Sequence, residues 1–411
     1  MPFKLEYKQK NCGGDIIKYF NYVSEQLRNE IFYKEPEEID NTSNIDTLRY
    51  ALGATLYMPA TRSDIADMII EKKYPQMMSL TICLEDSIKD DDVCKAEETL
   101  VKNLELIDNA KKLGNLLNED IPFLFIRVRT PEHLKKFAPL IENYRDYVTG
   151  FVFPKFDIRS GQSYIDNLEE INSIIDNKTY YFMPILESED IIYVEKRRET
   201  LNELKNMLEP YKDLVLNIRM GATDFCSLFG LRRGEDYTVY QIQVVRDCIS
   251  DILNFFSRRD QSYVVSGSVW EYFESNNRFL KPLLRVTPFS DNFGKKGVDL
   301  RSRMIENNLD GLIREILEDK ENGIVGKTVI HPSHIVLVNS LYVVTHEEYI
   351  DALEILNRNN SGGVFKSEYN NKMNEVKPHT LWAKKILLRA KVYGVYNENY
   401  DSLALVSPKS Y

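Results

Sequence analysis

Residues 79–88 read SLTICLEDSI, an apolar run with β-branched members that ends in two adjacent acids, Glu85 and Asp86. A short apolar run bounded by polar residues fits a strand covered on both faces, as in parallel sheets. The acids then stand at the carboxyl end of that strand. What two like charges do there depends on whether other strands deliver polar groups to the same place.

Similar stretches recur along the chain: ATLYMPA from residue 54, FLFIRVR from 123, GFVFPKF from 150, YYFMPILES from 180, LVLNIRMGATDF from 214, SYVVSGSVW from 262 and GKTVIHP from 326. Segments of helical composition lie between them, such as DDDVCKAEETLVKNLELIDNAKKLGNLL and YVEKRRETLNELKNMLEPYKDL, with acids early and lysines late as the helix dipole favours. Eight strands alternating with helices place the chain in the α/β class and predict a (β/α)8 TIM barrel, although an open doubly wound sheet shares that alternation. The expected organisation is a polar, helical N-terminal extension over residues 1–50 that caps the barrel's bottom, a barrel over 51–345, and a C-terminal helical segment over 346–411. The barrel carries an insertion near 271–325 around TPFSDNFGKKGVDLR, and the C-terminal segment is read as two helices joined by the loop SGGVFKSEYNNKMN.

Composition narrows the function classes. The 411 residues are 43% hydrophobic and 28% charged, with 18 Gly and 15 Pro, as in an ordinary globular protein with a sizeable core. Lys and Arg number 53 against 63 Asp and Glu, a net charge of -10, and no basic block marks a nucleic-acid footprint. The start, MPFKLEYKQKNCGG, has no apolar leader core, and no apolar run approaches the roughly 20 residues that span a bilayer. A cytoplasmic protein without membrane or nucleic-acid partners is expected. Five cysteines with no C-x-x-C pairing point to reduced packing residues, not to disulfides or zinc.

In a TIM barrel the site forms at the carboxyl ends of the strands. The residues there are Pro59 and Arg62, Glu85 and Asp86, Arg127 and Arg129, Lys155, Glu187, Asp224, Ser266 and Ser268, then His331 and Ser333. Taken singly, each has an ordinary explanation: Asp86 as a helix cap, Arg62 and Lys155 as solvated loop residues, His331 as a packed turn residue. Their convergence on one rim favours a site. Carboxylates from neighbouring strands, Glu187 and Asp224, suit a hard cation, and Mg²⁺ typically takes one or two of them. Zinc lacks the His and Cys cluster it needs. An arginine beside the metal offers a planar, permanent charge to a carboxylate or a developing enolate oxygen.

Taken in chain order, LYMPATR, CLEDSI, FIRVR, VFPKF, LES, MGATDFCSLFG and GKTVIHPSHI resemble the motifs of the aldolase and citrate lyase family, which includes the citrate lyase β-subunit and malyl-CoA lyase. The resemblance runs from about residue 54 to residue 390, and is closer still to a branch of C–C bond lyase-like barrels found beside tellurium-resistance and stress genes. It implies an Mg²⁺-dependent carbon–carbon lyase acting through a metal-stabilised enolate. Glu187 and Asp224 would be the Mg²⁺ ligands, and Arg127 would bind the substrate carboxylate and steady the enolate. Glu85 and Asp86 would hold metal-bound water and orient Arg127, which predicts a depressed pKa for at least one of them. Pro59, Arg62, Arg129, Lys155, His331 and Ser333 would surround the substrate, a 2-oxo or hydroxy acid or its CoA thioester. A homo-oligomer, trimer or hexamer, with exchanged C-terminal segments is also implied.

The chain departs from the pattern of that family at Pro59-Ala60, where the family has Pro-Gly, at Arg129, where it has Asn, and at Thr223, where it has Glu. The C-terminal acid of the thioester lyases falls in NNKMNEVKPHTLWAKKI, which offers Asn374 and Glu375. Two alternatives follow: an aldolase for a free 2-oxo acid or a phosphorylated small molecule, favoured by Arg62, Lys155 and Arg129, and a barrel that binds a metabolite or partner without turnover.

Overall fold

Each of the eight stretches forms a strand: β1 (Ala54–Pro59), β2 (Ser79–Cys83), β3 (Phe123–Arg127), β4 (Gly150–Phe153), β5 (Tyr181–Leu186), β6 (Ile218–Met220), β7 (Val265–Ser266) and β8 (Lys327–Val329). The computed structural model describes residues 16–40, 42–175, 178–259, 262–273, 309–358 and 363–406. The strands form one sheet in the order β7-β6-β5-β4-β3-β2-β1-β8, every neighbouring pair parallel. Gly267, just past β7, bridges Lys327 of β8, its amide donating to the Gly326 carbonyl at 2.9 Å and its carbonyl accepting from the Thr328 amide at 3.2 Å. That bridge closes the sheet into the expected barrel. Every residue of β2, β3 and β4 is buried, which is why these strands read as unbroken apolar runs.

The connecting helices are α1 (Ile65–Ile70), α2 (Val93–Lys112), α3 (Pro131–Phe137), α4 (Gly161–Ile174), α5 (Val194–Leu208), α6 (Gln243–Phe256), α7 (Asp310–Glu321) and α8 (Ser333–Tyr342). In α2 the buried residues Ala96, Leu100, Leu104, Ile107 and Ala110 recur at helical spacing and face the sheet. Gly114, at φ +76°, takes the left-handed conformation that ends it. Asn103, buried on the same face, accepts from the Ala66 amide and donates to the Arg62 carbonyl, fastening the loop that follows β1.

The N-terminal region departs from the helical, polar expectation. Its described part holds helices Glu25–Ile31 and Ile45–Tyr50, but also an antiparallel pair, Ile16–Ile17 with Ile39–Asp40, and a strand Phe32–Lys34 that pairs with Val395–Tyr396. Ile17, Tyr19, Phe20, Val23, Ile31, Phe32 and Ile39 are buried. Strands of two or three residues carry no period in sequence, and the partner of Phe32–Lys34 lies at the other end of the chain. Arg49 ties this region to the barrel's amino end, donating to the carbonyls of Val215 and Lys212 ahead of β6.

After the barrel come α9 (His346–Asn357) and α10 (Val376–Tyr393). The loop expected between them contains a hairpin, Val364–Lys366 paired with Met373–Glu375. Of the expected insertion, TPFSDNFGKKGVDLR lies outside the described residues. No helix of the described residues is long and apolar enough to cross a membrane.

Closure of the barrel rests on a buried ion network. Lys327, fully buried, donates to Glu315 at 2.9 Å and Asp319 at 2.8 Å, both from α7. Glu315 also pairs with Arg233 and accepts from the Val239 amide, while Asp319 accepts from the Tyr240 hydroxyl. Removing one partner of such a group strands an uncompensated charge in a dry site. Lys327→Met is therefore expected to cost about 3–5 kcal/mol of stability, read from the urea unfolding midpoint and slope; a loss below about 1 kcal/mol would contradict this role.

Candidate active site

The carboxyl ends of β2 to β6 converge on Arg127, the last residue of β3. Its Nη2 lies 2.6 Å from Glu85 Oε2, 2.8 Å from Asp86 Oδ2 and 3.4 Å from Glu187 Oε1. Lys155, just past β4, completes the ring. Its Nζ donates to Glu85 Oε1 at 2.6 Å and approaches Asp86 Oδ1 at 3.2 Å, and its backbone amide donates to Glu187 Oε1 at 2.8 Å. Lys155 sits at φ +47°, a left-handed conformation that costs a non-glycine residue about 1 kcal/mol or more. That backbone lets one residue serve Glu187 with its amide and the Glu85–Asp86 pair with its ammonium.

Glu187 follows β5 directly and is buried. Its carboxylate lies against Gly221, where a Cβ would come within 2.4 Å of Glu187 Oε2 and of Glu187 Cβ. Only glycine permits that approach. Three residues on, in the short helix Ala222–Ser227, Asp224 brings its carboxyl beside Glu187.

Four carboxylates, Glu85, Asp86, Glu187 and Asp224, thus share two cations, Arg127 and Lys155. Burial pushes the Glu187 carboxyl up to about 8, against the pull of Arg127 and with the charge of Asp224 adding to the rise. Asp224 is raised by burial and then by the charge of Asp86. Glu85 is raised by burial, with Arg127 opposing. Asp86 goes the other way: burial raises it, but a hydrogen bond with Glu85 and the charges of Arg127 and Lys155 outweigh that and hold it low. One of the adjacent acids is therefore depressed, as the sequence reading anticipates.

This donor set fits a hard divalent cation. The raised carboxyls of Glu187 and Asp224 mark the under-compensated part of the ring, where a cation held by the pair would favour their ionised forms and leave other coordination positions to water and substrate oxygens. Among the described residues no group of three or more His, Cys, Asp or Glu forms a fuller ligand cage. The pair opens onto a cavity of about 220 Å³ that is also lined by Tyr57, Asp86, Arg127, Arg219 and Thr328.

A family model described as C-C bond lyase of the TIM-barrel fold matches residues 46–395. The chain belongs to the C–C bond lyase family. Among solved structures it is similar to the protein CitE of Mycobacterium tuberculosis, in complex with magnesium, acetoacetate and coenzyme A, at 17% identity, covering 83% of this chain and 99% of that one with a TM-score of 0.50. A citrate lyase of Burkholderia xenovorans LB400 is 14% identical, with 87% and 96% of the two chains covered and a TM-score of 0.57. At these identities the likeness shows a shared fold. No curated protein matches the chain. The family match carries no information on a tellurium-resistance neighbourhood.

In this member of the C–C bond lyase family, Arg127, Asp86, Glu187 and Asp224 line the cavity, with Glu85 and Lys155 bonded to them. Other expected substrate residues point elsewhere. Arg129 does not add charge to the cavity: it binds the carbonyls of Leu84 and Ile88 and the Asp90 carboxylate, so it holds the loop that carries Glu85 and Asp86. Arg62 makes a two-pronged pair with Asp64 at 2.8 and 2.6 Å. His331 bonds Ser333 at 2.7 Å and stacks on Phe273, and neither His331, Ser333 nor Pro59 lines the cavity. Asn374 is buried against Asp351 and Glu375 is exposed at the start of α10, both outside the cavity lining. Tyr57, Arg219 and Gly221 are the site residues that the sequence reading passed over. Arg219 had one signal: a charge in the middle of a strand buried throughout.

Two outcomes follow. Gly221→Ala forces Glu187 off its bond with the Lys155 amide and is expected to cost about 1–3 kcal/mol in urea unfolding, as overpacking does. His334, buried in α8, is held down to about 4, by burial first and the neighbouring His331 second. Its stabilisation is fully present above the unfolded value of about 6.5 and is lost as pH falls through about 4, amounting to about 3 kcal/mol at most. Unfolding midpoints of wild type and His334→Gln, compared across that window, should converge toward low pH.

Proposed function

We propose that the chain is a divalent-metal-dependent carbon–carbon lyase acting on a small 2-oxo or hydroxy acid, or its CoA thioester, through an enolate. The observation that carries this reading is the ring of four carboxylates around two cations at the rim, with the raised carboxyls of Glu187 and Asp224 side by side on the cavity. That the M. tuberculosis CitE is in complex with magnesium and acetoacetate supports a cation and a small oxo acid as ligands of this fold.

Held by Glu187 and Asp224, Mg²⁺ would supply Lewis acidity to a substrate carbonyl. The chain's own residues supply the rest. Arg127, kept charged by its three acids, presents a fixed guanidinium to a carboxylate or to the oxygen on which charge develops as the carbon–carbon bond breaks. Glu85 and Asp86 hold that guanidinium in place, and Lys155 offsets their mutual repulsion. Such preorganisation removes the need to reorient donors during the reaction, and one well-placed donor is typically worth about 3 kcal/mol of barrier. A phosphorylated substrate loses its support, because Arg62 and Arg129 are spent on Asp64 and Asp90. An oligomer with exchanged C-terminal segments belongs to the same proposal, since the chain's own Asn374 and Glu375 lie outside its cavity lining.

The test is Mg²⁺-dependent deuterium exchange at the methyl of pyruvate and of acetyl-CoA, followed by proton NMR. Exchange is expected in one of them, falling at least about a hundredfold in Asp224→Asn, while Glu187→Gln weakens Mg²⁺ binding about tenfold or more. Intact Mg²⁺ binding without exchange in either compound would favour the barrel that binds without turnover.

A further inference from the structure

Arg219 occupies the middle of β6 with 2% of its surface exposed, and it lines the cavity beneath the acids. All its partners are neutral. Nη2 donates to Thr55 Oγ1 at 2.7 Å, Nη1 to Thr328 Oγ1 at 2.8 Å, Nε lies 3.3 Å from Met183 Sδ, and the Tyr57 ring is 5.6 Å away. Every other buried cation among the described residues has a carboxylate: Arg49 has Asp46, Arg127 its three acids, Arg197 has Asp251, Arg233 has Glu315, and Lys327 has Glu315 and Asp319. Arg219 has none. Burial works against its charge, and so does repulsion from Arg127.

A guanidinium carries five N–H donors, and the neutral contacts account for only part of them. Two further donor atoms of the same cavity lining, the Tyr57 hydroxyl and Arg127 Nε, are buried without a protein partner. As a mere space-filler Arg219 would be a poor choice, because an apolar side chain of similar volume replaces a buried charge at little or no cost. The cavity floor is thus a donor-rich, positive surface, and the cavity of about 220 Å³ has room for an acid of a few carbons, against about 30 Å³ for one water.

We infer that Arg219, with the Tyr57 hydroxyl, receives a second carboxylate of the substrate, so that the site takes short dicarboxylic acids in preference to monocarboxylic ones. This rests on the proposed function only in placing the other end of the substrate at Arg127 and the Glu187–Asp224 pair. A carboxylate on Arg219 gains charge-assisted hydrogen bonds in a desolvated site and gives the buried guanidinium the counter-charge it lacks. A monocarboxylic acid held at Arg127 and the Glu187–Asp224 pair leaves Arg219 without a counter-charge.

The experiment is calorimetric titration of the full chain, in Mg²⁺-containing buffer, with succinate and with butyrate, which replaces one carboxylate by a methyl group. Wild type is expected to bind succinate about tenfold or more tighter than butyrate, the order of one charge-assisted pair. Arg219→Gln should bring the two affinities within about threefold, and Arg219→Lys should restore part of the preference. Equal affinities in wild type, no measurable binding of either acid, or a preference that survives Arg219→Gln would overturn the assignment. Should Arg219→Gln fail to fold, Tyr57→Phe removes one hydroxyl only and is expected to lower the succinate preference about threefold or more; an unchanged preference would count against the assignment. Failure of the lyase reading shows separately, as absent exchange at pyruvate and acetyl-CoA with the succinate preference intact.

Discussion

The guanidinium of Arg127, held between Glu85, Asp86 and Glu187, is the interaction on which the rest of the site depends. A cation buried in that position needs counter-charge, and the acids need it in turn, since two adjacent carboxylates at the end of β2 would otherwise repel. Lys155 extends the arrangement by spanning both acids with its ammonium while its amide fixes Glu187. The left-handed backbone at Lys155 and the bare Cα of Gly221 are local concessions that bring these groups into contact. What this mutual pairing leaves under-compensated is Glu187 and Asp224, whose raised carboxyls face the cavity.

Two clusters of buried charge in the barrel are treated differently. At the β7–β8 seam Lys327, Arg233, Glu315 and Asp319 neutralise one another completely, with a tyrosine hydroxyl and a backbone amide completing the bonding. Such a closed set stabilises the seam and offers nothing to a ligand. The cavity is open by comparison: acids in excess at the rim, and an arginine with neutral partners at the floor. Incomplete compensation is costly in a dry interior, so a bound cation and an anionic substrate would supply what the chain alone leaves unmatched.

Much of the barrel was legible because burial on both faces leaves a plain mark: short apolar runs such as TICL and FLFI, each ending in a polar residue. The positions of Glu187, Asp224 and Arg127 at the rim were legible for the same reason, since they stand where those runs stop or just beyond. The hairpin at 364–375 and the strand Phe32–Lys34 were not, because strands of two or three residues have no period of their own, and the partner of Phe32–Lys34 lies at the other end of the chain. The partners of Arg129 and Arg62 could not be read from charge alone. Both are paired with acids of their own, Asp90 and Asp64, and neither lines the cavity.

The sequence by itself determined the alternation of strands and helices, the polar group at each strand's carboxyl end, and hence the face on which a site forms, because each is written in local pattern and spacing. Tertiary structure decided which charges neutralise which. Arg127 and Glu85 are far apart in sequence and bonded in space, Arg219 meets hydroxyls from β1 and β8, and Gly221 matters only because Glu187 presses against it. Electrostatic compensation is a property of distance and burial, and closure of the barrel is what sets both.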